Sequence, residues 1–68
     1  MIERPPGGEY QGAWRVEIGW WLWLGTHWER IIGRRIEPEN VYYTAGGRVY
    51  RVSSLEAVMI RRTPPPVP

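Results

Sequence analysis

The side chains that could do chemistry in this chain are few. There is one histidine, His27, no cysteine, and seven acidic residues that are all glutamate. Without cysteine there is neither a disulfide nor a thiolate zinc site, and a lone histidine without aspartate is a poor basis for a protein-built metal centre. His27 follows Gly25-Thr26, a pair that reads as a turn, so it is expected as a turn residue rather than a catalyst. Glu17, Glu29, Glu37, Glu39 and Glu56 include no pair that is poised for acid–base work. Gly7-Gly8 and Gly46-Gly47 lack the strand–loop–helix setting of a phosphate loop. No enzymatic activity, metal or cofactor is expected.

What remains is stacking and charge. All nine basic residues are arginine, set among five Trp and four Tyr, for a formal charge of +2. Guanidinium groups fork onto phosphate and carboxylate and stack on rings as ammonium groups do not. The same bias is what a GC-rich genome would give. Eight residues fall on strand faces expected to lie outside the core: Arg15, Trp21, Trp23, Trp28, Arg30, Arg34, Tyr42 and Arg51. Aromatics interleaved with arginines make a platform for single-stranded DNA or RNA, at roughly 1–3 kcal/mol per stacked base. The same residue types enrich subunit interfaces, and a strongly curled sheet would bury them as core. Among these, a non-enzymatic module that binds nucleic acid is narrowly favoured. The rival is a small structural or inhibitory protein, viral for instance, using the tryptophan face against a copy of itself or another protein. An enzyme whose site exists only in an oligomer pore comes third.

These side chains depend on the stretch Trp14–Leu24, WRVEIGWWLWL. Its even positions, Trp14, Val16, Ile18, Trp20, Leu22 and Leu24, are all apolar, which predicts a strand over 14–24 with one face in the core. Trp20, Leu24, Trp28, Ile31 and Ile32 also lie near helical spacing. Against a helix, Gly19, Gly25 and Gly33 would each cost about 1 kcal/mol. Gly25-Thr26 predicts a two-residue type II′ hairpin. That turn sets Leu24 opposite His27, Trp23 opposite Trp28, Trp21 opposite Arg30 and Trp20 opposite Ile31. Further out, it sets Ile18 opposite Gly33 and Glu17 opposite Arg34. Leu22 opposite Glu29 is the one uncomfortable match.

After a turn at Glu37-Pro38-Glu39-Asn40, Val41–Ala45 and Arg48–Val52 flank Gly46-Gly47. A type I′ turn there pairs Tyr43 with Tyr50, Val41 with Val52 and Tyr42 with Arg51. The capping-box spacing from Ser53 to Glu56 predicts one helical turn over residues 54–57. Val58-Met59-Ile60 follows as a last short strand. Residues 1–12, rich in Pro and Gly, are expected as a flexible arm, with room for a short strand near Tyr10. Residues 13–62 form the domain, and 63–68 a polyproline tail.

Strand, tight turn, strand, helical turn, short strand is how SH3-like small barrels end. The stretch Val49–Val58, VYRVSSLEAV, resembles that ending in the Sm-like RNA chaperone Hfq and in the plasmid-borne trimethoprim-resistance dihydrofolate reductases. In the reductases the likeness includes Tyr50, Val52, Leu55 and Glu56, with Gly19-Trp20 also reminiscent. The resemblance implies an all-β fold, a five-stranded SH3-like barrel or a bent antiparallel meander. It does not carry reductase activity, because Arg48 stands where the reductases have Gln and the chain has no lysine. Nor does it carry the uridine site of Hfq, because Val52 follows Arg51 where Hfq has histidine.

A chain of 68 residues without disulfide or metal has little core, so self-association is expected. No run approaches the ~18 apolar residues of a membrane span. Glu3, Pro5, Pro6 and Glu9 interrupt any secretory signal, so the expected setting is cytoplasmic.

Overall fold

A computed structural model describes residues 7–66. The first six residues of the expected arm and the last two of the expected tail lie outside the described residues. The fold is all-β. Its strands are β1 (Glu9–Gly12), β2 (Trp21–Trp23), β3 (Trp28–Arg35), β4 (Val41–Thr44), β5 (Val49–Arg51) and β6 (Ala57–Arg61). They form one antiparallel sheet in the order β1-β6-β2-β3-β4-β5. The sheet is open, with β1 and β5 at its two edges, so the architecture is the bent meander rather than a closed barrel. There are six strands rather than five because residues 9–12 of the expected arm pair along β6.

The long strand expected over 14–24 is cut short at both ends of its register. Ala13–Arg15 is a single 3₁₀ turn. Gly19 then adopts φ +99°, a conformation that needs glycine, and closes a turn in which Trp20 N–H donates to the Glu17 carbonyl. Gly19 N–H donates to Ile31 C=O, and Ile31 N–H donates to Trp20 C=O, each at 2.8 Å. Two residues thus oppose one, a β-bulge opened by a left-handed glycine. The apolar period therefore breaks. Val16 and Leu22 enter the core, whereas Trp14 and Ile18, expected beside them, are more than half exposed.

Beyond the bulge, the first hairpin has the expected register. Trp21 pairs with Arg30, Leu22 with Glu29 and Trp23 with Trp28. Leu24 N–H donates to His27 C=O, and only Gly25 of the two loop residues has positive φ, as a type II′ turn requires.

The second hairpin slips by one residue. Val41 pairs with Arg51, Tyr42 with Tyr50 and Tyr43 with Val49. Of Gly46 and Gly47 only Gly47 has positive φ, so the type I′ turn does not form. Instead Gly47 N–H donates to Thr44 C=O, and Thr44 N–H donates to Arg48 C=O. This is the three-residue loop, a tight turn followed by one left-handed glycine, that fixes an odd register.

The register of β3 against β4 also shifts between Ile31 and Gly33. Ile31 pairs with Thr44, then Gly33 with Tyr43 and Arg34 with Tyr42. Ile32 is the extra residue, and beyond it every side chain of β3 changes face.

The core cluster comprises Ala13, Val16, Leu22, Ile31, Tyr42, Val52, Val58 and Ile60, with Trp20 and Leu24 packed against it. The helical turn expected at 54–57 is not helical. Glu56 N–H returns to Ser53 C=O, and Leu55 N–H donates to Ser53 Oγ, which makes a serine-closed turn. Among the described residues no helix is long and apolar enough to cross a membrane.

Candidate nucleic-acid interface

The pairings assign every strand residue to one of two faces. Leu22, Ile31, Tyr42, Thr44, Val58 and Ile60 are buried and mark the core face. Their register partners Glu9, Gln11, Glu29, Arg34 and Tyr50 share it. The opposite face carries Tyr10, Trp21, Trp23, Trp28, Arg30, Arg35, Tyr43, Arg51, Met59 and Arg61, with exposed Val49 and fully buried Val41 between them. No strand carboxylate lies on this outward face. The mild net charge of the whole chain conceals that segregation.

Two rows run across the strands. Arg61, Trp21 and Arg30 are successive partners over β6, β2 and β3, so the indole sits between two arginines. In the adjacent row Tyr10 pairs with Met59 and Trp23 with Trp28, and one further step of the β2–β6 register brings Trp23 beside Met59. The rings of Trp23 and Trp28 are 5.1 Å apart and tilted by 59°, close enough for an attractive aromatic contact. All three tryptophans are partly buried, whereas Arg30 and Tyr10 are exposed.

Four of the eight sequence candidates, Trp21, Trp23, Trp28 and Arg30, therefore share one patch. Arg51 lies on the same face but on the far edge strand, 3.4 Å from Glu39 of the β3–β4 loop. Arg15 belongs to the 3₁₀ turn and covers its neighbour Trp14, 4.4 Å from the ring centroid.

Arg34 and Tyr42 are corrections. The Ile32 bulge turns Arg34 inward, away from Glu17, its expected partner. Its guanidinium donates to the carbonyls of Val16, Ala13 (3.2 Å) and Trp14 (2.5 Å) and to Asn40 Oδ1 (3.3 and 3.1 Å). Tyr42 is fully buried and its hydroxyl donates to the Ala13 carbonyl. Burial raises its pKa above the usual tyrosine value. Both residues tie the 3₁₀ turn to the sheet, and both lie off the outward face.

Glu29, the uncomfortable partner of Leu22, is resolved by three donors. Thr44 Oγ1 (2.5 Å), His27 Nε2 (2.6 Å) and Arg48 Nε (3.2 Å) all reach its carboxylate. These bonds, that from Thr44 foremost, then those from His27 and Arg48, lower its pKa to about 2 against the opposing effect of burial. Gly46 belongs to the same knot, since a Cβ there would lie 2.5 Å from the carboxylate. His27 Nδ1 lies 2.8 Å from Thr26 Oγ1. Every polar contact here is internal to the turn region, and Glu29 is held ionised, so the cluster is a structural clasp.

An open groove of about 460 Å³ lies between Pro38–Asn40 and Arg51–Ser54. Its rim holds the Arg51–Glu39 pair; buried Asn40 beneath accepts from Arg34 through Oδ1, while its Nδ2 has no hydrogen-bond partner among the described residues. Among the described residues no three His, Asp or Glu side chains come together as metal ligands would.

Sequence reasoning did not single out Tyr10, Arg35, Tyr43, Met59 and Arg61 for the outward face. Arg61 and Met59 were in reach: extending the last strand by one residue gives both the same parity. Arg35 depends on the bulge, which no residue of β3 announces. No protein-family model, curated protein or solved structure matches the chain.

Proposed function

We propose that the chain is a non-enzymatic module that binds single-stranded nucleic acid across the outward face of its sheet. The observation that carries this reading is the segregation of charge and rings. Arg30, Arg35, Arg51 and Arg61 share a face with Trp21, Trp23 and Trp28, and both strand carboxylates, Glu9 and Glu29, sit on the other. Indoles offer a flat surface to any base, and guanidinium groups neutralise the phosphates between bases. A single strand fits better than a duplex, whose stacked bases present no ring face to an indole. The strand order, with β6 inserted between β1 and β2, also supports reading the fold as an SH3-like sheet left open at its edges. That likeness carries no function by itself.

The test is a titration of a fluorescent single-stranded oligonucleotide at several salt concentrations. If all four arginines neutralise phosphates, log K falls with log salt with a slope of about −3, at ~0.7 per contact. Trp21→Ala combined with Trp23→Ala abolishes binding while the sheet remains folded. Absence of binding at low salt defeats the reading. A double mutant that breaks an oligomer apart instead assigns the face to self-association.

A further inference from the structure

β5 is an edge strand, and half of its main-chain hydrogen-bonding groups have no partner among the described residues. Thr44 N–H donates to Arg48 C=O at 3.0 Å, and Val52 N–H donates to Asn40 C=O at 3.1 Å. These bonds fix the phase of the strand between them. Bonding residues alternate along an antiparallel pair, so Arg48, Tyr50 and Val52 turn their main-chain groups towards β4. Val49 and Arg51 turn theirs outward, and no described segment bonds to them. The edge therefore offers the N–H and C=O groups of these two residues, spaced symmetrically about Tyr50.

The usual devices that keep such an edge from pairing are missing here. β5 holds no proline, lysine or bulge, and all three of its residues are exposed, the apolar Val49 and Tyr50 included. Its arginines do not guard it with uncompensated charge. Arg48 is paired with Glu29 at 3.2 Å and Arg51 with Glu39 at 3.4 Å. The opposite edge is less suited to pairing. β1 ends in Gly12, with the Trp14 ring beside it, and runs straight into the 3₁₀ turn.

We propose that β5 pairs antiparallel with β5 of a second copy of the chain, about a two-fold axis through Tyr50. In that register Val49 of each copy exchanges both main-chain bonds with Arg51 of the other, so every outward group is satisfied at once. Neighbouring registers fail on local grounds. One centred on Val49 would need Gly47, which lies in the loop with φ +81°. One centred on Arg51 would set like charges opposite each other and would need Ser53, whose C=O already accepts from Glu56 N–H. The register at Tyr50 sets Tyr50 against Tyr50 on the core-side face and Val49 against Arg51 on the outward face. The axis stands perpendicular to the sheet, so the outward faces of both copies lie on one side and the two sheets continue into one another. The contact is short, and the dimer is correspondingly weak. None of this depends on the nucleic-acid reading.

The experiment is sedimentation velocity on the full chain from micromolar to millimolar concentration, with amide hydrogen exchange at both ends of that range. The expected result is a reversible monomer–dimer equilibrium in which the Val49 and Arg51 amides are protected only at the high end. Val49→Pro removes an outward N–H and no inward bond, a position at which an edge strand accepts proline. It takes away half of the intermolecular bonds and should weaken the dimer by about 10–100-fold. Val49→Lys keeps the backbone donor and sets like charges opposite Arg51, so it weakens the dimer even where proline would unfold the strand. Val49→Glu tightens it by the same reasoning. Tryptophan fluorescence melts establish that each variant is folded. A chain that stays monomeric at millimolar concentration overturns the inference. So does a dimer that Val49→Lys leaves intact, or one that Val49→Glu weakens. A dimer dissolved by Trp21→Ala with Trp23→Ala and untouched by the Val49 variants also overturns it, and assigns self-association to the tryptophan face.

Discussion

Replacing Arg34 by alanine should remove a large share of the domain's stability without touching the proposed binding face. The guanidinium serves four acceptors: the carbonyls of Ala13, Trp14 and Val16, and Asn40 Oδ1. Two of these are replaceable. Ala13 C=O keeps its bond from the Tyr42 hydroxyl, and the contact with Trp14 C=O is exposed, so water can take it. Val16 C=O and Asn40 Oδ1 lose a charged donor at part-buried contacts, at about 1–3 kcal/mol each, or roughly 2–6 kcal/mol together. A domain of 68 residues has a total stability of only about 3–10 kcal/mol. Arg34→Ala should therefore lose a large share of the domain's stability. Urea denaturation followed by tryptophan fluorescence measures the loss, and Arg30→Ala, an exposed change, should stay within about 0.5 kcal/mol of wild type. Lysine should not rescue position 34, because one ammonium cannot reach all four acceptors. A loss below about 1 kcal/mol in Arg34→Ala refutes the inward placement, and with it the β3 bulge. So would a stable Arg34→Ala protein that had lost oligonucleotide affinity.

Three further outcomes follow from the same structure. Gly19→Ala should lower stability by about 1–2 kcal/mol in a thermal melt, since φ +99° strains any side-chain-bearing residue there even though a Cβ would meet no neighbour. Glu29 has its pKa lowered from its ordinary 4.5 to about 2; its contribution is complete above pH 4.5 and is lost as pH falls from there towards 2, because the unfolded chain binds the proton first. Thr44→Val removes the largest cause of that shift, so the Glu29 carboxyl should titrate at a higher pH by NMR. Tyr42, buried and raised in pKa, should ionise above the usual tyrosine value in a spectrophotometric titration.

The parts of the fold that were legible in the sequence are those set by short-range chemistry. Gly25-Thr26 carries one positive φ and specifies one turn, and from that turn the pairs Trp21–Arg30 and Trp23–Trp28 follow by counting. The second hairpin was misread because two glycines were both assigned to the turn's centre. Only Gly47 uses a positive φ, while Gly46 is small because the Glu29 carboxylate lies against it. That contact joins residues far apart in sequence, so local turn rules do not contain it. The same holds for Arg34 and Tyr42. Alternation assigns them outward, but one extra residue at Ile32 reverses the face of Arg34, and both donate to carbonyls of the 3₁₀ turn about 20 to 30 positions earlier. The unbroken apolar period from Trp14 to Leu24 hid a glycine bulge, because a period records which residues are apolar and not whether the backbone stays extended. The tryptophan patch survived these errors because all of its members lie on the one hairpin whose turn was read correctly.

The central claim is that three tryptophans and not the other two meet a single strand of nucleic acid. The five indole N–H resonances report this directly, in a ¹H–¹⁵N spectrum recorded during titration with a single-stranded oligonucleotide at low salt. The expected result is that the indoles of Trp21, Trp23 and Trp28 shift and saturate together, while Trp20, packed against the core, stays in place and Trp14 under Arg15 moves little. Shifts at Trp14 or Trp20 with the outward three unmoved, or no shift at any indole, would contradict it.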